Sequence, residues 1–297
     1  MESSTVVKGI ELWQWRQQAL QAARDHNLPV REVDWLLLSI TSLSSLEIKL
    51  ESFRHYPAIS IDLSLDRLEQ LWQRRILEHF PVQYIAGYTL WRRFRLQVSP
   101  AVLIPRPETE MLIDLAIAAL SQPTGNLVDL GTGSGAIAIG LAEVFPEASI
   151  HAVELSPEAL VIARANAENS GFSHQIQFYQ GSWWEPLDHL RGRIQAVIAN
   201  PPYIPTGMLP TLPPEVANHE PCLALDGGMD GLACLRYLGL TAPQYLQLGG
   251  LFLVEIMAGQ GKQMSRILHE QGCYADIQIH ADLAGYDRFA QATLVST

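Results

Sequence analysis

The first 80 residues carry apolar positions at the spacing of amphipathic helices. Three runs show this spacing: Leu12, Trp15, Ala19 and Ala22; Leu36, Leu37 and Ile40; and Leu65, Leu68, Leu71, Trp72 and Ile76. Residues that recur every three or four positions lie on one face of a helix, where they are buried together. The prolines that separate the runs are Pro29, Pro57 and Pro81. The pattern therefore predicts a small helical domain over residues 1–80.

Between residues 82 and 107 the pattern changes to short alternating pieces. The stretch IAGYTLWRRFRLQVSP predicts a β-hairpin, so we interpret residues 81–107 as a β-hairpin connector. Pro105 and Pro107 then precede a predicted helix. Its first turn contains Glu108 and Glu110, whose carboxylates suit the positive end of a helix.

After residue 125, apolar runs typical of buried strands alternate with helical stretches. The predicted strands are LVDL (127–130), IHAVE (150–154), IQFY (176–179), AVIA (196–199), LFLVEI (251–256), ADIQIH (275–280) and FAQATLV (289–295). This alternation is typical of an α/β protein with a doubly wound, mostly parallel sheet covered by helices on both faces. We predict that residues 108–297 form a second domain built on this sheet.

Composition limits the classes of protein to which this chain can belong. The chain has 297 residues, of which 48% are apolar and 17% charged, so it can bury a substantial core. It lacks a run of about 18 uncharged apolar residues, and its N-terminus lacks the features of a signal peptide. We therefore expect a cytoplasmic protein without membrane contact. The three cysteines have no metal-binding or disulfide spacing, and we expect no metal.

The net charge of −11 is concentrated in the second half of the chain. Residues 111–297 contain 7 basic and 18 acidic side chains. Nonspecific nucleic-acid binding depends on neutralising phosphates with Lys and Arg, so we expect no direct nucleic-acid partner. The cluster WRRFR (91–95) is a local exception. We interpret it either as a surface that attracts an acidic partner or as a solvated face of the hairpin.

A strand, a glycine-rich turn and a helix follow one another in VDLGTGSGAIAIGLA (128–142). Gly131, Gly133 and Gly135 permit positive φ and a close approach of a ligand to the backbone, and the start of the helix presents free amides. Glu154 ends the next predicted strand, where an acid can bind ribose hydroxyls. Two alternatives stay open: a dinucleotide-binding turn, because Ala136 completes the pattern G-x-G-x-x-A, and a turn that only packs a helix on a strand.

The motif NPPY (200–203) directly follows the predicted strand AVIA. Pro201 and Pro202 fix two φ angles and lack N–H groups, so the segment after Asn200 offers hydrogen-bond acceptors without donors. If this strand lies beside the strand that ends at Leu130, Asn200 faces the ligand of the glycine-rich turn. The Asn200 side-chain oxygen and the Pro201 carbonyl can then accept both hydrogens of a planar NH₂ group, with Tyr203 against its plane.

Together these motifs resemble the class I S-adenosylmethionine-dependent methyltransferases, and more closely the release factor glutamine methyltransferases. The segments that carry the resemblance are PVQYIAG, VSPAVLIPRPETE, VDLGTGSGAIAI, ANPPYIP, EP (220–221), ALDGGMDGL and GGLFLVEI. LIPRPETE joined to NPPY is highly specific, whereas NPPY alone is shared with DNA and RNA adenine methyltransferases. The resemblance implies a seven-stranded sheet whose last strand is antiparallel. It also implies methyl transfer from S-adenosyl-L-methionine to the glutamine amide of the Gly-Gly-Gln motif in peptide-chain release factors.

The resemblance also implies a set of site residues. The implied cofactor-binding residues are Gly131, Thr132, Gly133, Ser134, Gly135, Glu154, Trp183 and Asn200, and the implied catalytic residues are Asn200, Pro201, Pro202 and Tyr203. Glu154 is expected to hold the ribose hydroxyls and Trp183 to pack on the adenine, with a buried core tryptophan as the alternative. Ser182 and Met257 stand where related sequences often have aspartate and glycine, so we expect the adenine contacts and that loop to differ.

Three other functions compete with this one. An adenine-N6 methyltransferase on DNA or RNA is disfavoured by the acidic second half, and a cofactor-binding module without catalysis is disfavoured by the intact NPPY. A nicotinamide enzyme is also disfavoured, because it has no evident need for NPPY at the end of this strand. We expect a monomer that recognises release factors through its helical domain and needs no covalent nucleophile or obligatory general base. His219 and Glu220 either line the site or lie in a solvated loop.

Overall fold

The structure, a computed structural model, describes residues 5–296 and divides into two compact units. The first unit runs to Tyr88 and also contains Pro213–His219, and the second contains Thr89–Leu212 and the chain from Glu220 onward. The predicted domain limits at residues 1 and 297 lie outside the described residues. Among the residues described, no helix combines the length and the apolar character needed to cross a membrane.

The first unit consists mainly of helices, as the apolar spacing predicts. Its elements up to residue 86 are β1 (Thr5–Val7), α1 (Gly9–Asp25), α2 (Arg31–Ile40), α3 (Ser45–Leu50), β2 (Ile59–Ile61), α4 (Leu65–Glu78) and α5 (Val82–Ala86). Leu12, Trp15 and Ala19 are buried along α1, and Leu68 and Trp72 along α4, at the spacing of one helical face. The antiparallel pair of β1 and β2 is absent from the sequence prediction, because three-residue strands are too short to show alternation.

The second unit begins at Thr89, inside the first strand of the predicted hairpin, and continues with alternating strands and helices. In chain order, and with α9 of the first unit included, the elements are β3 (Tyr88–Trp91), β4 (Phe94–Gln97), α6 (Met111–Ala119), β5 (Asn126–Leu130), α7 (Ala136–Val144), β6 (Ser149–Glu154), α8 (Pro157–Asn169), β7 (Ile176–Gln180), β8 (Ile194–Ala199), α9 (Pro214–Ala217), α10 (Ala233–Thr241), β9 (Leu246–Glu255), α11 (Gly261–Glu270), β10 (Tyr274–Ala281) and β11 (Asp287–Leu294). The two hairpin strands pair with each other in a separate small sheet.

Seven strands form the main sheet in the order β10-β11-β9-β8-β5-β6-β7. Strands β8, β5, β6 and β7 are parallel to one another, β9 is parallel to β8, and β11 is antiparallel to both β9 and β10. The predicted fold class, a doubly wound sheet with an antiparallel last strand, is therefore confirmed. The chain reverses its direction of travel across the sheet at β5, which lies between β6 and β8.

Both faces of the sheet are buried. Leu127 of β5 lies in one core together with Ile139 of α7, whereas the next residue, Val128, lies in the other core together with Leu235 of α10. Successive side chains of a strand point to opposite faces, so a strand covered on both sides has to be apolar at nearly every position. This is why the strands appear in the sequence as continuous apolar runs.

A short segment of the first unit comes from far along the chain. Within that unit, the buried guanidinium of Arg75 donates to the carboxylate of Glu215, in α9, at 2.9 Å. His219 Nε2 lies 2.6 Å from the Glu78 carbonyl oxygen. Pro213–His219, which follows NPPY in the sequence, is therefore held by ion pairing and hydrogen bonding inside the helical unit.

Candidate active site

A cavity of about 470 Å³ opens at the carboxyl ends of the central strands of the second unit. β5 pairs with β8 so that Leu130 lies opposite Ala199, and with β6 so that Leu130 lies opposite Val153. Connections that leave a parallel sheet in opposite directions leave a crevice between them, where ligands bind. The expectation that Asn200 follows a strand beside the glycine-rich turn is confirmed. Cavities of about 300 to 1,000 Å³ are typical of small-molecule sites.

The glycine-rich turn is fixed by the backbone of β6. The carbonyl oxygen of Val153 accepts hydrogen bonds from the amides of Gly131 at 2.9 Å and Thr132 at 3.0 Å. Gly131 has a φ of 76°, a conformation that glycine adopts without strain. Gly131, Thr132, Gly133 and Ser134 all line the cavity. The turn therefore presents backbone directly to a ligand.

Two contacts with α8 stabilise the glycine-rich turn. A Cβ added to Gly135 would lie 3.3 Å from the Cα and carbonyl oxygen of Ala163, so the helices meet too closely for a side chain there. Asn166, which is fully buried, donates through Nδ2 to the carbonyl oxygens of Ser134 at 2.8 Å and Gln97 at 3.0 Å. Its Oδ1 accepts from the Gln97 amide at 2.6 Å. This asparagine ties the glycine-rich turn to strand β4.

A buried carboxyl group lies under the turn. Asp129 Oδ2 accepts from Thr132 Oγ1 at 2.5 Å and from the Ala138 amide at 3.1 Å. Its Oδ1 is fully buried and has no hydrogen-bond partner among the described residues. Burial raises the pKa of Asp129 from 3.8 to about 7, because the charged form loses its hydration. Its hydrogen bonds join the end of β5, the turn and the first residues of α7.

Glu154 ends β6, and two backbone amides fix its carboxylate. Its Oε2 accepts from the Gly133 amide at 2.8 Å, and its Oε1 accepts from the Ser156 amide at 2.9 Å. Glu154 also lines the cavity. A carboxylate has about four acceptor positions, so two hydroxyl groups of a ligand can be bound in addition to the two amides.

Trp183 lines the cavity beside the glycine-rich turn. Its ring lies 3.8 Å from the position that a Cβ on Gly131 would take. Trp183 has a φ of 50°, which costs a residue with a side chain about 1 to 2 kcal/mol. Strain of this kind persists where the surrounding structure fixes it, and it is concentrated at functional sites. The adjacent Ser182 also lines the cavity, and its amide donates to Glu185 Oε2 at 3.0 Å.

Asn200 is part of a chain of side-chain hydrogen bonds that sequence reasoning missed. Its Nδ2 donates to Thr109 Oγ1 at 3.2 Å, and Thr109 Oγ1 donates to Glu255 Oε2 at 2.7 Å. The Tyr203 hydroxyl donates to the other oxygen, Oε1, at 2.8 Å. Burial raises the pKa of Glu255, and burial together with the Glu255 carboxylate raises the pKa of Tyr203 well above its usual range. Thr109 lies in the motif LIPRPETE and Glu255 lies in GGLFLVEI. Their places in these motifs are the sequence signal that could have identified them as site residues.

The backbone of NPPY is supported by Gln260, a buried residue outside the predicted site. Gln260 Nε2 donates to the carbonyl oxygens of Tyr203 at 3.0 Å and Gly231 at 3.1 Å, and its Oε1 accepts from the Met257 amide at 2.9 Å. Met257 therefore contributes to this support through its backbone amide.

One rim of the cavity carries an ion pair. Arg106 lines the cavity, and its Nη2 donates to Glu220 Oε1 at 2.6 Å. The Glu220 side chain is 2% exposed, and it also accepts from the Ile104 amide at 3.4 Å. Neither Glu220 nor His219 is among the described residues that line the cavity. Glu220 instead contributes to the cavity indirectly, by holding the side chain of Arg106.

The structure brings most of the predicted site residues to one cavity. Those that line it are Gly131, Thr132, Gly133, Ser134, Glu154, Trp183, Asn200 and Pro202. Gly135, Pro201 and Tyr203 are not among the described residues that do so. Gly135 packs against α8, Pro201 is buried, and Tyr203 directs its hydroxyl to Glu255.

Comparisons with known proteins identify the family of this chain. Residues 121–289 match a family model described as a methyltransferase domain. The chain is 47% identical to the release factor glutamine methyltransferase of Synechocystis sp., over 98% of both chains. It is 45% identical to the enzyme of the same name from Thermosynechococcus vestitus, over 94% of this chain and 96% of that one.

Among solved structures, the catalytic domain of hMettl16 in complex with MAT2A 3'UTR hairpin 6 is similar in fold. The match has a TM-score of 0.55 at 14% identity, and it covers 80% of this chain and 84% of that one. At this identity the likeness concerns the fold alone. The identity to the two release factor enzymes, over almost the whole of each chain, is specific, and this chain belongs to the release factor glutamine methyltransferase family.

Proposed function

We propose that this protein transfers a methyl group from S-adenosylmethionine to the side-chain amide nitrogen of the glutamine in the Gly-Gly-Gln motif of peptide-chain release factors. The observation that carries the proposal is the position of Asn200, which directly follows β8 and lines the same cavity as the glycine-rich turn. The alternative, adenine methylation, is not favoured, because the relatives that match nearly the whole chain are release factor glutamine methyltransferases.

The residues of the cavity suit S-adenosylmethionine, which supplies a methyl group already activated on a sulfonium. The acidic side chains that line the cavity are Glu154, Glu158 and Asp226, whereas its one lining cation among the described residues, Arg106, is paired with Glu220. An excess of carboxylates favours a cationic ligand. We propose that Glu154 binds the ribose hydroxyls, that the glycine-rich turn adjoins the methionine portion, and that Trp183 packs on the adenine.

The acceptor nitrogen is the difficult part of the reaction. An amide nitrogen shares its lone pair with its carbonyl group, so it is a weak nucleophile. We propose that Asn200 Oδ1 and the Pro201 carbonyl oxygen accept the two hydrogens of the glutamine NH₂ group. These bonds hold the nitrogen in line for transfer and stabilise the positive charge that develops on it. Pro202 keeps this segment rigid, and Tyr203 lies next to it in the chain.

The proton that leaves the methylated nitrogen is expected to pass to water. The Tyr203 hydroxyl stays protonated at neutral pH, since burial and Glu255 raise its pKa well above the usual range. Glu255 is 1% exposed and accepts from Thr109 and Tyr203, so it is engaged behind the cavity wall. Water is sufficient, because a nitrogen that has just gained a methyl group and a positive charge is strongly acidic.

We also propose that the helical first unit recognises the release factor, and that the protein acts as a cytoplasmic monomer without direct nucleic-acid contact. One glutamine among many has to be selected through the surface around it, and a second unit supplies such a surface. Leu46 and Leu50 of α3 are 63% and 66% exposed and lie four residues apart on one helical face. The hairpin arginines are less suitable, because Arg92 and Arg93 already pair with Asp114 and Glu143.

The activity is tested by incubating the protein with labelled S-adenosylmethionine and three substrates: a release factor, its Gly-Gly-Gln→Gly-Gly-Ala variant, and an adenine-containing oligonucleotide. Label is expected only in the first. Asn200→Ala should lower the rate by about 10² to 10³, the usual effect of losing one transition-state hydrogen bond, with little change in cofactor affinity. Asn169→Ala, at an exposed position that ends α8, is the matched control. Label in the oligonucleotide, or an active Asn200→Ala variant, contradicts the proposal.

The role of the first unit needs full-length variants. Deleting residues 1–80 would remove Arg75 and Glu78 from Glu215 and His219, so a deletion would disturb more than the recognition surface. The double variant Leu46→Glu/Leu50→Glu is expected to raise KM for the release factor and to leave turnover of a short Gly-Gly-Gln peptide unchanged. Equal losses on both substrates would argue against recognition by this face.

A further inference from the structure

The NPPY motif is connected to a buried pair of side chains from two other parts of the chain. Thr109 lies in the turn before α6 and Glu255 ends β9, and they are 4% and 1% exposed. Thr109 Oγ1 lies 3.2 Å from Asn200 Nδ2 and 2.7 Å from Glu255 Oε2, while Glu255 Oε1 lies 2.8 Å from the Tyr203 hydroxyl. One carboxylate thus connects to both polar side chains of NPPY.

The number of available hydrogens fixes the direction of these bonds. A threonine hydroxyl has one hydrogen, and a carboxylate only accepts. Because Thr109 gives its hydrogen to Glu255, its oxygen can only accept from Asn200. The Asn200 amide therefore turns its NH₂ group toward Thr109 and its Oδ1 to the opposite side. Within the described part of the chain, that oxygen receives no hydrogen bond, and Asn200 lines the cavity.

We infer that Thr109 and Glu255 are positioning residues that hold the Asn200 amide with its oxygen available to the substrate. The inference rests on the proposed function, in which this oxygen accepts a hydrogen from the substrate amide. In the flipped amide, the NH₂ group of Asn200 would meet the NH₂ group of the substrate, and two donors repel. Thr109 and Glu255 act only through Asn200 and Tyr203.

Two nearly isosteric substitutions test the inference. Glu255→Gln replaces one acceptor oxygen with an NH₂ donor, so the side chain can no longer accept from both Thr109 and Tyr203. Thr109→Val removes the hydroxyl and leaves the Asn200 NH₂ group without its acceptor. Because loss of orientation at a reacting group costs up to about 10²-fold, we expect each variant to lower kcat by roughly 10- to 100-fold. KM for the release factor and the cofactor Kd should change by no more than about threefold, because Glu255 is not among the described residues that line the cavity, and Thr109, which lines it at 4% exposure, keeps its size and shape in valine.

Thr109→Ser separates positioning from packing. Serine retains the hydroxyl and loses only a methyl group, so it is expected to restore kcat to within about threefold of the wild type. Thr124→Val, at an exposed threonine, is the matched control for the loss of a hydroxyl. All measurements use the full-length protein, with cofactor Kd from calorimetry and thermal unfolding to establish that each variant is folded.

The outcomes divide clearly between this inference and the proposed function. If Thr109→Val and Glu255→Gln keep kcat within about threefold while Asn200→Ala is inactive, the inference is overturned and the role of Asn200 stands. If Thr109→Ser is as slow as Thr109→Val, or if cofactor affinity falls as much as kcat, the pair is structural and the inference is again overturned. An active Asn200→Ala variant would instead refute the proposed function.

Discussion

The substitution Asn166→Ala tests how strongly the glycine-rich turn is held in place. This fully buried side chain of α8 makes three hydrogen bonds to backbone groups: from the Gln97 amide at 2.6 Å, to the Gln97 carbonyl oxygen at 3.0 Å and to the Ser134 carbonyl oxygen at 2.8 Å. Asn166→Ala removes all three and leaves their backbone partners in place. An unpaired buried polar group costs about 1 to 3 kcal/mol.

The three losses are not equal. Ser134 is 4% exposed, so its carbonyl oxygen is expected to lose close to the full amount, whereas Gln97 is exposed and water can replace part of its bonds. We therefore expect the free energy of unfolding to fall by about 3 kcal/mol in total. For a unit of roughly 200 residues, each kcal/mol shifts the thermal midpoint by about 2 to 4 °C, so the expected shift is roughly 6 to 12 °C.

The assay is thermal unfolding of the full-length protein followed by circular dichroism, together with cofactor titration by calorimetry. Asn169→Ala, which changes an exposed asparagine at the end of the same helix, should shift the midpoint by less than about 2 °C. Because Asn166 holds the turn that lines the cavity, the buried variant should also bind the cofactor more weakly. If Asn166→Ala is as stable as Asn169→Ala, the three bonds do not carry the stability assigned to them.

Three further predictions concern the same site. Glu154→Ala should raise the cofactor Kd by at least about tenfold in calorimetry, because each charge-assisted bond to a ribose hydroxyl is worth about 1.5 to 3 kcal/mol; an unchanged Kd would make Glu154 a purely structural residue. Gly135→Ala should lower the thermal midpoint more than Gly171→Ala, because both have a positive φ but only the first added Cβ would crowd Ala163; equal shifts would contradict this. Burial raises the pKa of Asp129 from 3.8 to about 7, so the native state binds this proton more tightly than the unfolded state does. The contribution of Asp129 to the free energy of unfolding is therefore fully present below pH 3.8 and is lost as the pH rises toward 7. Urea unfolding at several pH values should show that the wild type loses up to about 4 kcal/mol more than Asp129→Asn across this window, and parallel curves would refute the reasoning.

Much of the fold was predictable because local patterns report the burial of the residues that carry them. The seven apolar runs after residue 125 correspond to the seven strands of the main sheet, and the glycines of the turn after β5 adopt the positive φ that they permit. Glu154 ends β6 and Asn200 directly follows β8, as their places in the sequence indicated. Each of these features depends on side-chain spacing or backbone freedom within a few residues.

The partners of these residues were decided by the tertiary structure. Asn166 bonds a backbone amide 69 residues away, Asn200 bonds a hydroxyl 91 residues away, and that hydroxyl of Thr109 donates to a carboxylate 146 residues away. Likewise, Pro213–His219 follows NPPY in the sequence but packs within the helical unit. The sequence by itself determined which segments become strands and helices and which residues lie at the ends of strands. Which distant side chains meet depends on strand order, register and helix packing, and these are settled only when the whole chain buries its apolar surface together.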